Sequence, residues 1–335
     1  MKSRNDHWAN FRKTCLGSEA ETIGETRDCL RLRVREAGRE GTLTVYLLMD
    51  GVYLAFSDLS LASLNGRPGR CERLLCIGFC REGRVELRTN SGDFYYMGAG
   101  DLRIDNSLRH EGTLYYPLGG CESVTAILLL PQAKQALAKE LPALTVDLEA
   151  LSDRYLRTEH PFLLRRNARV ERIVEGFYQA PADCYLEWQR LKLMELLLFL
   201  GSLEGPAPAP QLVQFPAQQI ERIRAVQQQI HRDLKTDYTE ESLARRFGMD
   251  AKELAACFRE VFGSSIPVYL RNCRMRRAAA LLEQGSWPRI MDVAAEVGYD
   301  EQVRFSADFR AVYGVTPVQY RQQVREKGGA DLSLT

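Results

Sequence analysis

At 335 residues the chain is long enough for two domains with a core each, and 45% hydrophobic with 27% charged residues is ordinary globular composition. A formal net charge of +1 excludes a protein that grips nucleic acid by bulk charge alone, and no apolar run approaches the ~20 residues needed to span a bilayer, so no membrane partner is expected. The start, Met1-Lys2-Ser3-Arg4-Asn5-Asp6, lacks the apolar core of a signal peptide, so a cytoplasmic location is expected and the nine cysteines are expected as reduced thiols.

Residues 28–130 read as strands. Leu30, Leu32 and Val34 alternate with arginines, and Leu43, Val45, Leu47 and Met49 alternate with Thr44, Tyr46 and Leu48. Further runs cover residues 52–56, 74–79, 85–88, 94–97 and 124–130. Between them stand the turn signals Asp50-Gly51, Asn65-Gly66, Glu82-Gly83, Asn90-Ser91-Gly92-Asp93 and Gly98-Ala99-Gly100-Asp101. Many short strands parted by Gly and Asp turns predict an antiparallel barrel or jelly roll, a form that can enclose one small ligand. Cys71, Cys76 and Cys80 have x4 and x3 spacings that match no strong metal-ligand pattern, and no histidine is close by. Their expected role is structural, with metal or redox sensing the alternative; no metal and no cofactor are expected. His110, alone in this region, is expected as a surface or hydrogen-bonded histidine.

After Pro131 the pattern turns helical, with Ala133, Leu137 and Leu141 at four-residue spacing, then Val170, Ile173, Val174 and Phe177. A long helix is predicted over residues 185–203. Its Leu186, Leu193, Leu197 and Leu200 form one stripe, while Leu191, Leu198 and Phe199 add a second apolar side. Such a helix must be covered on both sides, either between the barrel and a partner subunit or within its own domain. The first option makes Leu186, Leu193, Leu197 and Leu200 the dimerisation residues of a homodimer. The alternating prolines of Gly205-Pro206-Ala207-Pro208-Ala209-Pro210 then break every pattern and mark a stiff linker over residues 205–215. The expected division is a first domain over 1–204 (β-rich 28–130, helical 131–204) that includes the expected dimer helix, that linker, and a third segment over 216–325.

The third segment begins with a helix marked by Ile220, Ile223, Val226 and Ile230, and then holds one small helical unit twice. Offset by 50 residues, Leu243-Ala244 and Gly248-x-Asp250 fall on Val293-Ala294 and Gly298-x-Asp300. Offset by 51, Leu254, Phe258-Arg259, Val261, Gly263 and Tyr269 fall on Phe305, Phe309-Arg310, Val312, Gly314 and Tyr320. Each copy reads as helix, tight turn, helix. Thr239 can cap the first helix, Gly248 can end it, and Asp250 can cap the second, which buries Leu254, Phe258 and Val261. An alanine four residues before the glycine lets the helices cross closely, as in a DNA-reading helix-turn-helix. Residues 216–327 carry 18 Lys and Arg against 15 Asp and Glu, a mild excess. Arg271, Arg274, Arg276 and Arg277 could form a local cationic face or a solvated one.

Three stretches then carry a specific resemblance: Ile290-x-x-Val293-Ala294-x-x-Val297-Gly298-Tyr299-Asp300, Phe305-x-x-x-Phe309-Arg310 and Gly314-Val315-Thr316-Pro317-x-x-Tyr320-Arg321. With Tyr269-Leu270-x-x-x-Arg274-Met275-x-x-Ala278-x-x-Leu281-Leu282 upstream, the last third of the chain closely resembles the DNA-binding region of the AraC/XylS family of bacterial transcription regulators. The resemblance implies an α+β chain: an N-terminal antiparallel β-barrel or cupin-like sensor with helices, and a C-terminal all-α domain with two helix-turn-helix units. Ile77-Gly78-Phe79-Cys80-Arg81-Glu82-Gly83 with Gly98-x-Gly100-Asp101 resembles the cupin-type half-barrel of such regulators, without the usual metal-binding histidines. Residues 165–200 resemble the pre-linker helices of the pyochelin-regulator branch, whose members commonly respond to siderophores.

Helix geometry and the family's motif positions together name the residues expected at DNA. Lys252, Ala255 and Ala256 face outward in the first unit, where the family more often has long polar side chains at the last two positions. Gln302, Val303, Arg304 and Ala307 face outward in the second, with Gln302 suited to adenine and Arg304 to guanine. Arg259 and Arg310 are placed for phosphates, or for an intradomain ion pair. The expected function is a ligand-responsive activator with double-stranded DNA, a small-molecule effector such as a siderophore, RNA polymerase and a second copy of itself as partners. The chain carries no nucleophile elbow, P-loop, Rossmann glycine set or HExxH helix, so no catalytic residues are expected. A ligand-binding cupin-like enzyme and a signal-independent DNA-binding protein are the alternatives.

Overall fold

A computed structural model describes residues 6–15, 20–65, 73–90, 92–106, 110–142, 146–157, 160–203, 215–285, 287 and 289–331. The chain divides into two compact units, Met1–Phe215 and Pro216–Thr335. The linker up to residue 214, Cys71, the Asn65-Gly66 turn glycine and the side chain of His110 lie outside the described residues.

The first unit opens with helix α1 (Asp6–Cys15) and runs through β1 (Ala20–Glu25), β2 (Cys29–Glu36), β3 (Arg39–Met49), β4 (Val52–Leu59) and β5 (Ser63–Asn65). It continues with β6 (Leu74–Thr89), β7 (Phe94–Gly98), β8 (Leu102–Asp105), β9 (His110–Tyr115) and β10 (Cys121–Leu129). Helices α2 (Leu130–Glu140) and α3 (Leu148–Tyr155), strand β11 (Phe162–Leu164), and helices α4 (Ala168–Tyr178) and α5 (Tyr185–Ser202) complete it. All pairings are antiparallel. Eight strands form one sheet in the order β1-β2-β3-β4-β10-β6-β8-β11, and β5, β9, β6 and β7 form a second, so that β6 belongs to both.

The shared strand corrects two expectations. Glu82-Gly83 is not a hairpin turn: residues 74–89 are one continuous strand, which pairs with β10 and β8 in its first half and with β7 and β9 in its second. At the changeover the register slips, Cys121 facing Gly83 while Ser123 faces Cys80. The extra residue is Arg81. Two residues on, Gly83 has φ +90, and a Cβ there would stand 2.4 Å from the carbonyl oxygen of Gly120, so the backbone just past the bulge needs glycine. The second correction is closure. Among the described residues the hydrogen-bonding path ends at β1 and β11, so the sheet is open, and of the expected barrel or jelly roll the closed barrel is not formed.

Strand alternation sends two sets of side chains to two cores. On β6, Leu75, Ile77 and Phe79 face helices α2 to α5, together with Val52, Leu54, Leu102, Ile104, Val124, Ala126 and Leu128. Leu74, Cys80, Val85 and Leu87 face the space between the sheets, which Tyr53, Tyr95, Met97, Tyr116 and Leu129 fill and Trp8 and Phe11 of α1 close. The Cys80 and Cys121 sulfurs lie 3.8 Å apart there, and their mutual hydrogen bond together with burial pushes the Cys80 thiol well above its usual range. Among the described residues no group of three or more His, Cys, Asp or Glu side chains could hold a metal ion, and no helix is long and apolar enough to cross a membrane.

Helix α5 corrects the expected dimer contact. Leu193, Leu197 and Leu200 are fully buried in the core of their own unit, and Leu186 packs at its edge. Gln189 donates to the Phe177 carbonyl and Arg190 to the Leu48 carbonyl, tying the helix to α4 and β3. The apolar side that stays open is Leu191, 66% exposed, with Leu198, 44% exposed, two turns further on.

The second unit is helical: α6 (Ala217–Arg232), α7 (Glu240–Phe247), α8 (Ala251–Phe262), α9 (Ile266–Gln284), α10 (Ile290–Glu296), α11 (Gln302–Tyr313) and α12 (Pro317–Asp331).

Candidate nucleic-acid interface

The two repeats fold as two helix-turn-helix units, α7 with α8 and α10 with α11, joined by α9. In the first, Thr239 and Ser242 form a reciprocal capping box at the start of α7. Gly248 ends that helix at φ +62, and Asp250 accepts hydrogen bonds from the amides of Lys252 (2.8 Å) and Glu253 (3.1 Å) to start α8. Leu254, Cys257, Phe258, Val261 and Phe262 are buried, as is Ala244 on α7. These contacts leave the side of α8 that carries Lys252, Ala256 and Arg259 exposed. Ala255 is only half-exposed, so it stands at the margin of that face.

The second unit repeats the plan with a longer turn. Three residues separate α7 from α8, whereas five, Val297 to Glu301, separate α10 from α11. The inserted residue sits here, and the N-cap is Glu301 rather than the Asp300 that the repeat alignment matches to Asp250. Gly298 is required twice over: its φ is +85, and a Cβ would stand 2.8 Å from Lys235 Cα and 2.9 Å from the Leu234 carbonyl oxygen. Val293, Ala294, Val297, Phe305 and Phe309 are buried, which turns Gln302, Val303, Arg304, Ala307 and Arg310 to the surface. Val312, expected in the core by analogy with Val261, is 40% exposed instead. Ala311 joins the exposed face of α11, a position that sequence reading passed over although it lies four residues after Ala307.

Helix α9 holds the two units through aromatic clusters at its two ends. Tyr269 packs its ring against Phe258 (5.3 Å) and Phe262 (5.2 Å) of the first unit. Met275, Ala278, Leu281 and Leu282 pack into the core of the second with Phe305 and Phe309, whose rings continue to Tyr313 and Tyr320. The expected cationic cluster on α9 is not one surface. Arg274 is 7% exposed and donates to the carbonyl oxygens of Leu234 (2.7 Å), Lys235 (3.2 Å) and Thr236 (3.3 Å) and to Asp237 Oδ1 (2.8 Å), with its guanidinium over the Tyr299 ring. It is a strut between the α6–α7 loop and the second unit. Arg271 stands 4.0 Å from Asp308, and only Arg276 and Arg277 are exposed.

The described geometry is that of two exposed helix faces, each placed by a preceding helix and a short turn, with cations beside small side chains. Such faces can enter a major groove and contact phosphates at their margins.

Residues 243–323 match the family described as "Helix-turn-helix domain". The chain is 28% identical over 138 residues to the HTH-type transcriptional activator RhaR of Pectobacterium atrosepticum, covering 41% of this chain and 46% of that protein. It is 43% identical over 72 residues to the activator RhaR of Yersinia pseudotuberculosis, covering 22% and 24%. It thus spans less than half the length of these relatives. Among solved structures it is similar to the DNA-binding domain of AdpA, a global transcriptional factor in complex with a target DNA: 27% identity, 32% of this chain, 95% of that chain and a TM-score of 0.30.

Proposed function

We propose that this chain is a transcription regulator of the AraC/XylS kind, an activator that binds double-stranded DNA by laying α8 and α11 into successive major-groove segments. The duplicated helix-turn-helix framework carries this reading, because both second helices bury one face and expose the other. The matched family, and the activators that share 28% and 43% identity with part of this chain, support it. In this reading Lys252 and Ala256, with Ala255 at the margin, and Gln302, Val303, Arg304 and Ala307 face bases, while Arg259 and Arg310 face phosphates.

The N-terminal unit, Met1–Phe215, is then the sensor. Its two sheets and helical layer would hold a small-molecule effector, for which a siderophore is the class implied by the resemblance of residues 165–200. A homodimer would form through the Leu191 and Leu198 side of α5, the apolar side its own core leaves open. An activator in the cytoplasm would act by contact with RNA polymerase.

The direct test is selection of binding sites from random duplexes by the full chain, followed by Arg304→Ala. A bidentate arginine–guanine contact is worth about 1–3 kcal/mol, so the variant should lose roughly 5- to 150-fold on the selected site and relax preference at one base pair. Failure to enrich any sequence would sink the reading. Equal weakening on all sequences would move Arg304 to the phosphate class.

A further inference from the structure

Phe305 and Phe309 fix which way α11 faces. At about 100° per residue the opposite side carries Val303, Ala307 and Ala311, bordered by Arg304 and Arg310, and all five are exposed. Val303 is 82% exposed, the highest among the large apolar side chains of the described residues. A single surface valine would need no account. This one lies in the first turn of a helix of the kind that meets base edges with its N-terminal residues, at the head of an apolar strip flanked by cations.

The equivalent side of α8 is chemically different. Lys252, Ala256 and Glu260 take the places of Val303, Ala307 and Ala311, bordered by Glu253 and Arg259. That side carries two cations and two anions, whereas the α11 side carries two cations and no anion. The two helices share a framework and present unlike surfaces.

The major groove offers one apolar exocyclic group, the 5-methyl of thymine. Valine suits it, because a β-branched side chain in a helix holds one χ1 rotamer and brings its methyls already oriented. We propose that Val303 reads a thymine methyl, so that the second helix-turn-helix unit demands a T·A pair at one position while the first, with Lys252 in the equivalent place, makes no such demand at the matching position. The inference rests on the reading of α11 as a recognition helix.

Deoxyuridine tests it, because it removes the methyl and keeps the pairing edge. In the site selected by the full chain, each thymine near the base pair whose preference Arg304→Ala relaxes is replaced singly by deoxyuridine, and affinities are measured for wild type and Val303→Ala. One position should weaken the wild type roughly three- to fivefold, the scale of one methyl group leaving apolar contact. The variant should have lost that sensitivity, with its response to changes elsewhere and its melting temperature unchanged. If every replacement is neutral, if the effect persists undiminished in Val303→Ala, or if the selected site has no thymine there, the inference falls while sequence recognition by α11 stands. If no sequence is enriched, both fall together.

Discussion

Arg274 stands among four arginines within seven residues, and its burial gives it a task different from that of its neighbours. It takes three backbone carbonyls of the α6–α7 loop and lies over Tyr299, beside a glycine whose Cβ would come within 3.0 Å of Nη2. Arg274→Ala should therefore destabilise the second unit by about 2–3 kcal/mol, and Arg274→Lys should not restore it, since an ammonium cannot span the same fan of acceptors. Arg277→Ala, on the exposed side of the same helix, should leave urea unfolding unchanged within about 0.5 kcal/mol. Equal effects of the two substitutions would refute the strut. A second residue-scale outcome concerns His231, which shares a 2.9 Å hydrogen bond with Tyr269 Oη. Burial, and then the Arg276 cation, holds its pKa below the usual imidazole value of 6.5. Protonation is therefore harder in the folded state, so the stabilisation is present above that value and is lost as pH falls through it to the folded pKa. The melting temperature should fall as pH drops from neutral through 6.5, and His231→Gln should flatten that slope. An identical slope in the variant would assign the effect to other groups.

At the scale of the element, α5 shows how an almost wholly apolar helix divides its surface. Leu193 and Leu197 are sealed by α4 and the eight-stranded sheet, while Leu191 and Leu198 stay open. Leu193→Glu should cost several kcal/mol, on the order of 3–5, because it buries an unpaired charge. Leu191→Glu with Leu198→Glu should leave the circular-dichroism melt near that of the wild type and convert the proposed dimer to monomer by light scattering. A double variant that stays dimeric would place the interface elsewhere. Strand β6 makes the complementary point: one bulge at Arg81, with the positive-φ Gly83 just beyond it, turns what reads as two hairpin strands into a single strand shared by two sheets.

At the scale of the molecule, two compact units each hold their own cores. Under the proposed function, a signal in the N-terminal unit would reach DNA by changing how the C-terminal unit is presented. Residues 211–335 alone should bind the selected sequence more weakly than the full chain, and without response to effector. Band-shift titration of both proteins, with and without effector, is the check. Equal affinity and an equal effector response would overturn the division of labour.

How much of this was legible in the sequence depends on the range of the interaction that decides it. The caps and stops of α7 and α8, the buried face of the first repeat and most long strands follow from neighbours within a few residues, so Thr239, Gly248, Asp250, Leu254 and Phe258 could be placed from the chain alone. Tertiary packing decided the rest. Which stripe of α5 is covered depends on α4 and the sheet, distant in sequence; whether Arg274 meets solvent depends on carbonyls some forty residues away; and whether Glu82-Gly83 turns depends on β10 across the pair. Local pattern names what a residue can do, and only the partner that the fold brings to it settles which of those things it does.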